Sequence, residues 1–130
     1  MKNEFTVTAM IAAAPEKIFR AWLSTEGHAA MTGSPAKVEP RVGGTFSAWD
    51  GYISGKTLEL KPYTRIVQAW RTTEFPEGSA DSHVELMLEP VEGGTRITLV
   101  HSGIPAGQAD EYRQGWDDFY FKPMKEYFSE

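Results

Sequence analysis

The chain has 130 residues, no cysteine, and 13 basic against 18 acidic side chains, a formal net charge of −5. The lack of cysteine excludes disulfides and thiolate metal sites. The acidic balance disfavours nucleic acid and anionic membrane as partners, since neither gains much from counterion release.

The length suits one domain, residues 1–130, large enough to bury about two-thirds of its unfolded surface. No apolar run approaches the ~18 residues that would span a bilayer. Met1 to Phe5 leads directly into alternating residues without a signal-peptide core, so cytoplasmic residence is the expectation. Phe5, Val7, Ala9 and Ile11 alternate with Thr6, Thr8 and Met10, which predicts a first strand. Pro15 suits the first position of a helix and Glu16 its first turn. Ile18, Phe19, Trp22 and Leu23 supply that helix with an apolar stripe. Thr25 is the expected cap of a second short helix running through His28 to Met31, ended by Gly33-Ser34-Pro35.

From Ala36 the pattern turns to strands and hairpins. Lys37–Val42 reads as an edge strand interrupted by Pro40. Gly43-Gly44 then turns the chain into Thr45–Asp50. Tyr52–Lys61 changes parity, with Ile53 on one face and Leu58 and Leu60 on the other, and a bulge at Gly55 would reconcile them. Arg65–Thr73 carries Ile66, Gln68 and Trp70 on one side, and Glu74–Asp81 is a loop. Ser82–Glu89 points Val84, Leu86 and Leu88 inward. Glu92-Gly93-Gly94 reverses the chain into Thr95–Ser102, where Ile97, Leu99 and His101 share a face. Last, Gln108–Phe128 places Tyr112, Trp116, Phe119, Tyr120, Met124 and Tyr127 at steps of three and four, the mark of one helical face. At ~1.5 Å per residue that helix is roughly 31 Å long. Pro123 removes an internal hydrogen bond there, and a kink between Phe119 and Pro123 is expected. The order is strand, two helices, six strands and a long helix: an α+β layout in which a curved antiparallel sheet wraps the terminal helix.

Several short motifs point to one family. They are Ala14-Pro15-Glu16-Lys17-Ile18-Phe19, Gly43-Gly44, and Gly55 followed by Leu58-Glu59-Leu60 and Pro62. Arg65-Ile66-Val67-Gln68-Ala69-Trp70, Gly94-Thr95-Arg96-Ile97-Thr98-Leu99 with His101, and Gly115-Trp116 complete the set. In order and spacing they resemble the activator of heat shock protein 90 ATPase homologue family, within the START-like (SRPBCC) superfamily. The resemblance implies the helix-grip fold in a stand-alone domain, and a chaperone ATPase as a partner. One departure is Ala30-Met31, which stand where the family often carries tryptophan.

The aromatic residues form the strongest site signal. Trp22, Phe46, Trp70, Leu86, His101, Trp116 and Tyr120 are the candidate contacts for a small apolar or aromatic ligand between sheet and terminal helix. His101, Tyr120 and Asp50 would supply the polar points that orient it. The alternative for the rings is plain core, and for His101 a hydrogen-bonded structural histidine. His83 and His28 are expected in solvent, and Trp49 at a hairpin tip or exposed. Asp110, Glu111, Asp117 and Asp118 fall on the outward helix face. The three histidines lack the spacing of metal ligands, no cofactor motif occurs, and no Ser-His-Asp or Cys-His arrangement is evident. Ligand binding without catalysis is therefore the first expectation. Stimulation of a heat shock protein 90 type ATPase is the second, and a cyclase or dehydratase using His101 and Tyr120 as acid–base pair is the third.

Overall fold

Alternation along the strands turns one face of the sheet apolar, and the terminal helix lies against that face. The structure, a computed structural model, describes residues 3–129; the reading of Met1 and Lys2 lies outside them. Strand β1 (Phe5–Ile11) is followed by helices α1 (Pro15–Trp22) and α2 (Thr25–Thr32). Strands β2 (Lys37–Val38), β3 (Thr45–Ala48), β4 (Ile53–Lys61), β5 (Arg65–Thr72), β6 (Ser82–Val91) and β7 (Gly94–Ser102) come next. Helix α3 (Ala109–Trp116), a π turn (Asp117–Phe121) and helix α4 (Lys122–Tyr127) close the chain. The strands form one antiparallel sheet in the order β1-β7-β6-β5-β4-β3-β2, a meander with the first strand added at the β7 edge. This is the expected helix-grip arrangement.

Buried Val84, Leu86 and Leu88 of β6 and Ile97, Leu99 and His101 of β7 share the inward face, as their spacing predicts. Pro15 begins α1, whose cap Ala14 makes no side-chain hydrogen bond. The cap of α2 is Ser24, not Thr25: its hydroxyl accepts from the Gly27 N–H, and Gly33 ends the helix at φ 81°. Thr25 instead joins the helix to β2, accepting from the Val38 N–H at 2.8 Å. The strand expected over 37–42 stops at Val38, because Pro40 has no N–H to offer a ladder.

The parity change in β4 is real, but its bulge lies at Leu58 rather than Gly55. Thr57 pairs with Gln68 and Glu59 with Val67, leaving Leu58 unopposed and 43% exposed. Leu60 returns to the inward register opposite Ile66. Gly55 serves a different purpose. A Cβ there would stand 1.9 Å from the Ala69 carbonyl oxygen and 2.8 Å from the Phe46 ring, so only glycine lets these strands close over that ring.

The closing helix does not keep one register. A bond from the Lys122 N–H to the Asp117 carbonyl spans five residues, widening the turn just before Pro123. A wide turn takes up one extra residue and rotates the following face. Tyr112, Trp116, Tyr120 and Met124 are therefore buried together with Phe121, whereas Phe119 and Tyr127, expected on the same stripe, are 53% and 50% exposed. The interruption expected near the proline takes the form of this π turn.

Candidate functional site

The inner face of the sheet and the side of α3 do not meet everywhere. Between them lies a cavity of about 410 Å³, inside the ordinary ligand-pocket range. Ile53 of β4, Trp70 of β5, and Tyr112, Trp116 and Tyr120 of the closing helix form its buried walls. Half-buried Trp49 and Tyr52 continue the lining, and exposed Phe119, Glu74 and Glu111 mark its outer end. Helical spacing explains the opening: residues 111, 115 and 119 follow at steps of four, and the middle one, Gly115, has no side chain to fill the space.

The aromatic wall is continuous. Trp116 packs on Tyr120 at 4.8 Å and on Trp70 at 5.6 Å between ring centroids, and Trp70 meets Tyr112 edge-on at 5.1 Å. Such pairs each contribute about 0.5–1.5 kcal/mol beyond area burial. Trp49 closes one flank by an edge contact with Phe119 at 5.3 Å. To do so it occupies a left-handed turn, with φ 52° at Trp49, 58° at Asp50 and 90° at Gly51. A left-handed non-glycine residue costs about 1–3 kcal/mol and persists where its surroundings over-determine it. The hairpin-tip placement of Trp49 is as expected, but the ring is half-buried, not exposed. Its indole N–H is buried without a hydrogen-bond partner among the described residues.

Two buried histidine networks brace this wall. The Trp116 indole N–H donates to His101 Nδ1 at 3.0 Å. That makes Nε2 the protonated nitrogen, donating to Ser82 Oγ at 2.8 Å, and the serine donates in turn to the Trp70 carbonyl. Burial of His101 pushes its pKa down to about 3, so the ring stays neutral. His28, expected in solvent, is only 2% exposed. Its Nδ1–H donates to the Trp22 carbonyl at 2.8 Å, and its Nε2 accepts from the Tyr120 hydroxyl at 2.7 Å. Burial lowers its pKa, against the opposing effect of the carbonyl bond, and burial raises that of Tyr120. The imagined acid–base pair is thus divided between two networks. Tyr120 engages His28, both nitrogens of His101 are taken, and the indole of Trp116 packs against both rings.

The outer end of the cavity carries charge. The Tyr52 hydroxyl donates to Glu74 at 2.7 Å and stands 3.4 Å from a Glu111 carboxylate oxygen. Partial desolvation first, and then the adjoining Glu74, hold the Glu111 carboxyl above the ordinary carboxylate range. Desolvation likewise raises the Tyr52 phenol. Thr72 and Tyr112 join their hydroxyls at 2.7 Å, Tyr112 donates to Gln108, and Gln108 donates to the Glu74 carbonyl. The loop after β5 is thereby tied to the start of α3.

Of the seven candidate contacts, Trp70, Trp116 and Tyr120 line the cavity. Trp22, Phe46, Leu86 and His101 are buried in the core around it. Trp22 donates to Gln68, which donates to Thr57, a polar bridge from α1 into the sheet. Asp50, expected to orient a ligand, is exposed at its turn and outside the lining. Sequence reasoning missed Tyr52, Glu74, Glu111 and Tyr112 as lining. The available signal for the helix was the step of four from Glu111 through Gly115 to Phe119 beside the Tyr112–Trp116 stripe; Glu111 alone of these falls on the face read as outward and acidic. Among the described residues no cluster of histidine, aspartate and glutamate could hold a metal ion, and no helix is long and apolar enough to cross a membrane.

A model of the family described as "Activator of Hsp90 ATPase homolog 1-like protein" matches residues 12–129. The human protein "Activator of 90 kDa heat shock protein ATPase homolog 1" is 33% identical over 125 residues, which are 96% of this chain and 37% of that protein. The chain thus spans little more than a third of the length of such curated relatives. Among solved structures, an HSP90 activator from Plasmodium falciparum superposes with a TM-score of 0.79 at 28% identity, covering 92% of this chain and 90% of that one. The Aha1 dimer from Colwellia psychrerythraea has the same fold, with a TM-score of 0.77 at 20% identity and 96% of each chain covered.

Proposed function

The chain belongs to the Activator of Hsp90 ATPase homolog 1-like family, and from that premise we propose that it is a cytoplasmic, non-enzymatic binding domain holding a small apolar or aromatic molecule between its sheet and closing helix. The observation that carries this reading is the cavity of about 410 Å³, seven of whose eleven lining residues are aromatic. Rings of this kind supply apolar contact and shape, while Tyr52 and the two glutamates supply the few polar points a ligand site needs. Both histidines beside the cavity have their nitrogens engaged, which favours holding over proton transfer. A fragment screen followed by NMR tests the proposal. Shifts concentrated on Trp70, Trp116 and Tyr120 are the expected result; shifts confined to the outer sheet face, or none, would refute it.

A second reading is favoured by the relatives: the domain stimulates a chaperone ATPase of the heat shock protein 90 type. The similarity to an HSP90 activator over 90% of that chain supports it. The two roles are compatible, because the cavity leaves the outer face of the sheet free. ATPase turnover of a cognate chaperone, titrated with this protein, decides it; a null result at high concentration removes this role.

A further inference from the structure

The cavity has a charge preference built into it. None of its eleven lining residues is lysine, arginine or histidine, whereas two are glutamates. The Arg71 guanidinium, on the strand that carries Trp70, stacks 5.4 Å from the Phe75 ring and is paired with Asp81 at 2.8 Å, outside the lining. Glu74 and Glu111 share a single phenol, Tyr52, whose one proton goes to Glu74 at 2.7 Å and leaves Glu111 at 3.4 Å. Like charges brought together without a counter-cation repel, and the Glu111 carboxyl is held up by desolvation first and then by the adjoining Glu74. Deeper in, the buried rings of Trp70, Trp116 and Tyr120 supply apolar wall, and aromatic rings beside an ammonium add attraction of their own.

Resting on the ligand-binding reading above, we propose that the molecule held is an organic cation, an ammonium bearing an alkyl or aryl body. Its apolar body packs on Trp70 and Trp116, and its charge sits at the outer end, among the ring of Tyr52 and the carboxylates of Glu74 and Glu111. A neutral body of the same shape would fill the walls but leave the carboxylates facing each other. An anion would be repelled by both.

Three probes of similar bulk separate these outcomes: benzyltrimethylammonium, its uncharged carbon isostere neopentylbenzene, and phenylacetate. Binding is followed by tryptophan fluorescence and by NMR shifts of the indole N–H groups. The cation is expected to bind about ten-fold or more tightly than the isostere, and phenylacetate to bind more weakly than either. The double substitution Glu74→Gln with Glu111→Gln is expected to erase that preference, with an unchanged thermal midpoint showing that the fold persists. An isostere that binds as tightly as the cation, or a preference that survives the double substitution, overturns the cation assignment and leaves ligand binding standing. Failure of all three probes to bind at about 1 mM removes both proposals together.

Discussion

Replacing Gly115 by alanine tests the geometry of the cavity wall directly. Gly115 lies in α3, one helical turn from both Glu111 and Phe119 and beside the space those residues border. A Cβ built there meets only the Phe119 ring, at 3.7 Å, an ordinary van der Waals contact. No steric cost therefore opposes the gain in helix propensity, and Gly115→Ala should stabilise the protein by about 0.5–1 kcal/mol. With an unfolding entropy of ~2.1 cal/mol/K per residue, a chain of 130 residues should gain about 2–4 °C in thermal midpoint. Circular dichroism melts and urea unfolding of the two proteins measure this. A lower midpoint for the alanine variant would show that the helix face at 115 is packed rather than open, and the cavity with it would be refuted. Gly115→Leu extends the test: the longer side chain enters the cavity, so a folded variant should lose affinity for any molecule bound there.

Other consequences follow from the buried polar groups and from the tight strand contact. His101 titrates near 3 when folded but near 6.5 when unfolded, so it adds full stability above pH ~6.5 and loses it as pH falls, at about 1.4 kcal/mol per pH unit. His28, also lowered, acts in the same direction; urea unfolding at pH 7.5 and 5.5 that gave equal stabilities would contradict both assignments. Tyr120→Phe strands the acceptor nitrogen of buried His28 and should cost about 1–3 kcal/mol; an unchanged urea midpoint would mean that this bond is not made. Gly55→Ala forces a methyl group against the Ala69 carbonyl and should cost about 3 kcal/mol or more. A stable alanine variant with intact β4–β5 amide protection would contradict the strand pairing there.

How much of this was legible beforehand depends on the range of the interaction. Val84, Leu86 and Leu88 reach the core by alternation alone, and Pro15 and Gly33 bracket their helices through their own backbone preferences. The β4 bulge was readable in kind but not in place. A parity change announces that one residue is extra, and only the partner strand shows which one loses its pairing. His28 departs from its expected solvent position for a related reason, while His83 is exposed and His101 faces the core as their spacing predicts. His28 sits in a short helix whose local pattern is polar, and its burial comes from Trp22 and Tyr120, the latter 92 positions away.

The amino-acid sequence by itself determined the strand and helix periods, the helix-grip architecture and the family, because each rests on local spacing or on motifs kept in order. Only the tertiary structure decided which rings face open space and which fill the core. That choice depends on a π turn that shifts the register of the closing helix, on Gly115 leaving its face bare, and on a left-handed turn that swings Trp49 toward Phe119. The meeting of Glu74 and Glu111 across Tyr52 belongs to the same class. Groups contributed by three separate elements acquire their electrostatics from one another, and no window of sequence contains all three.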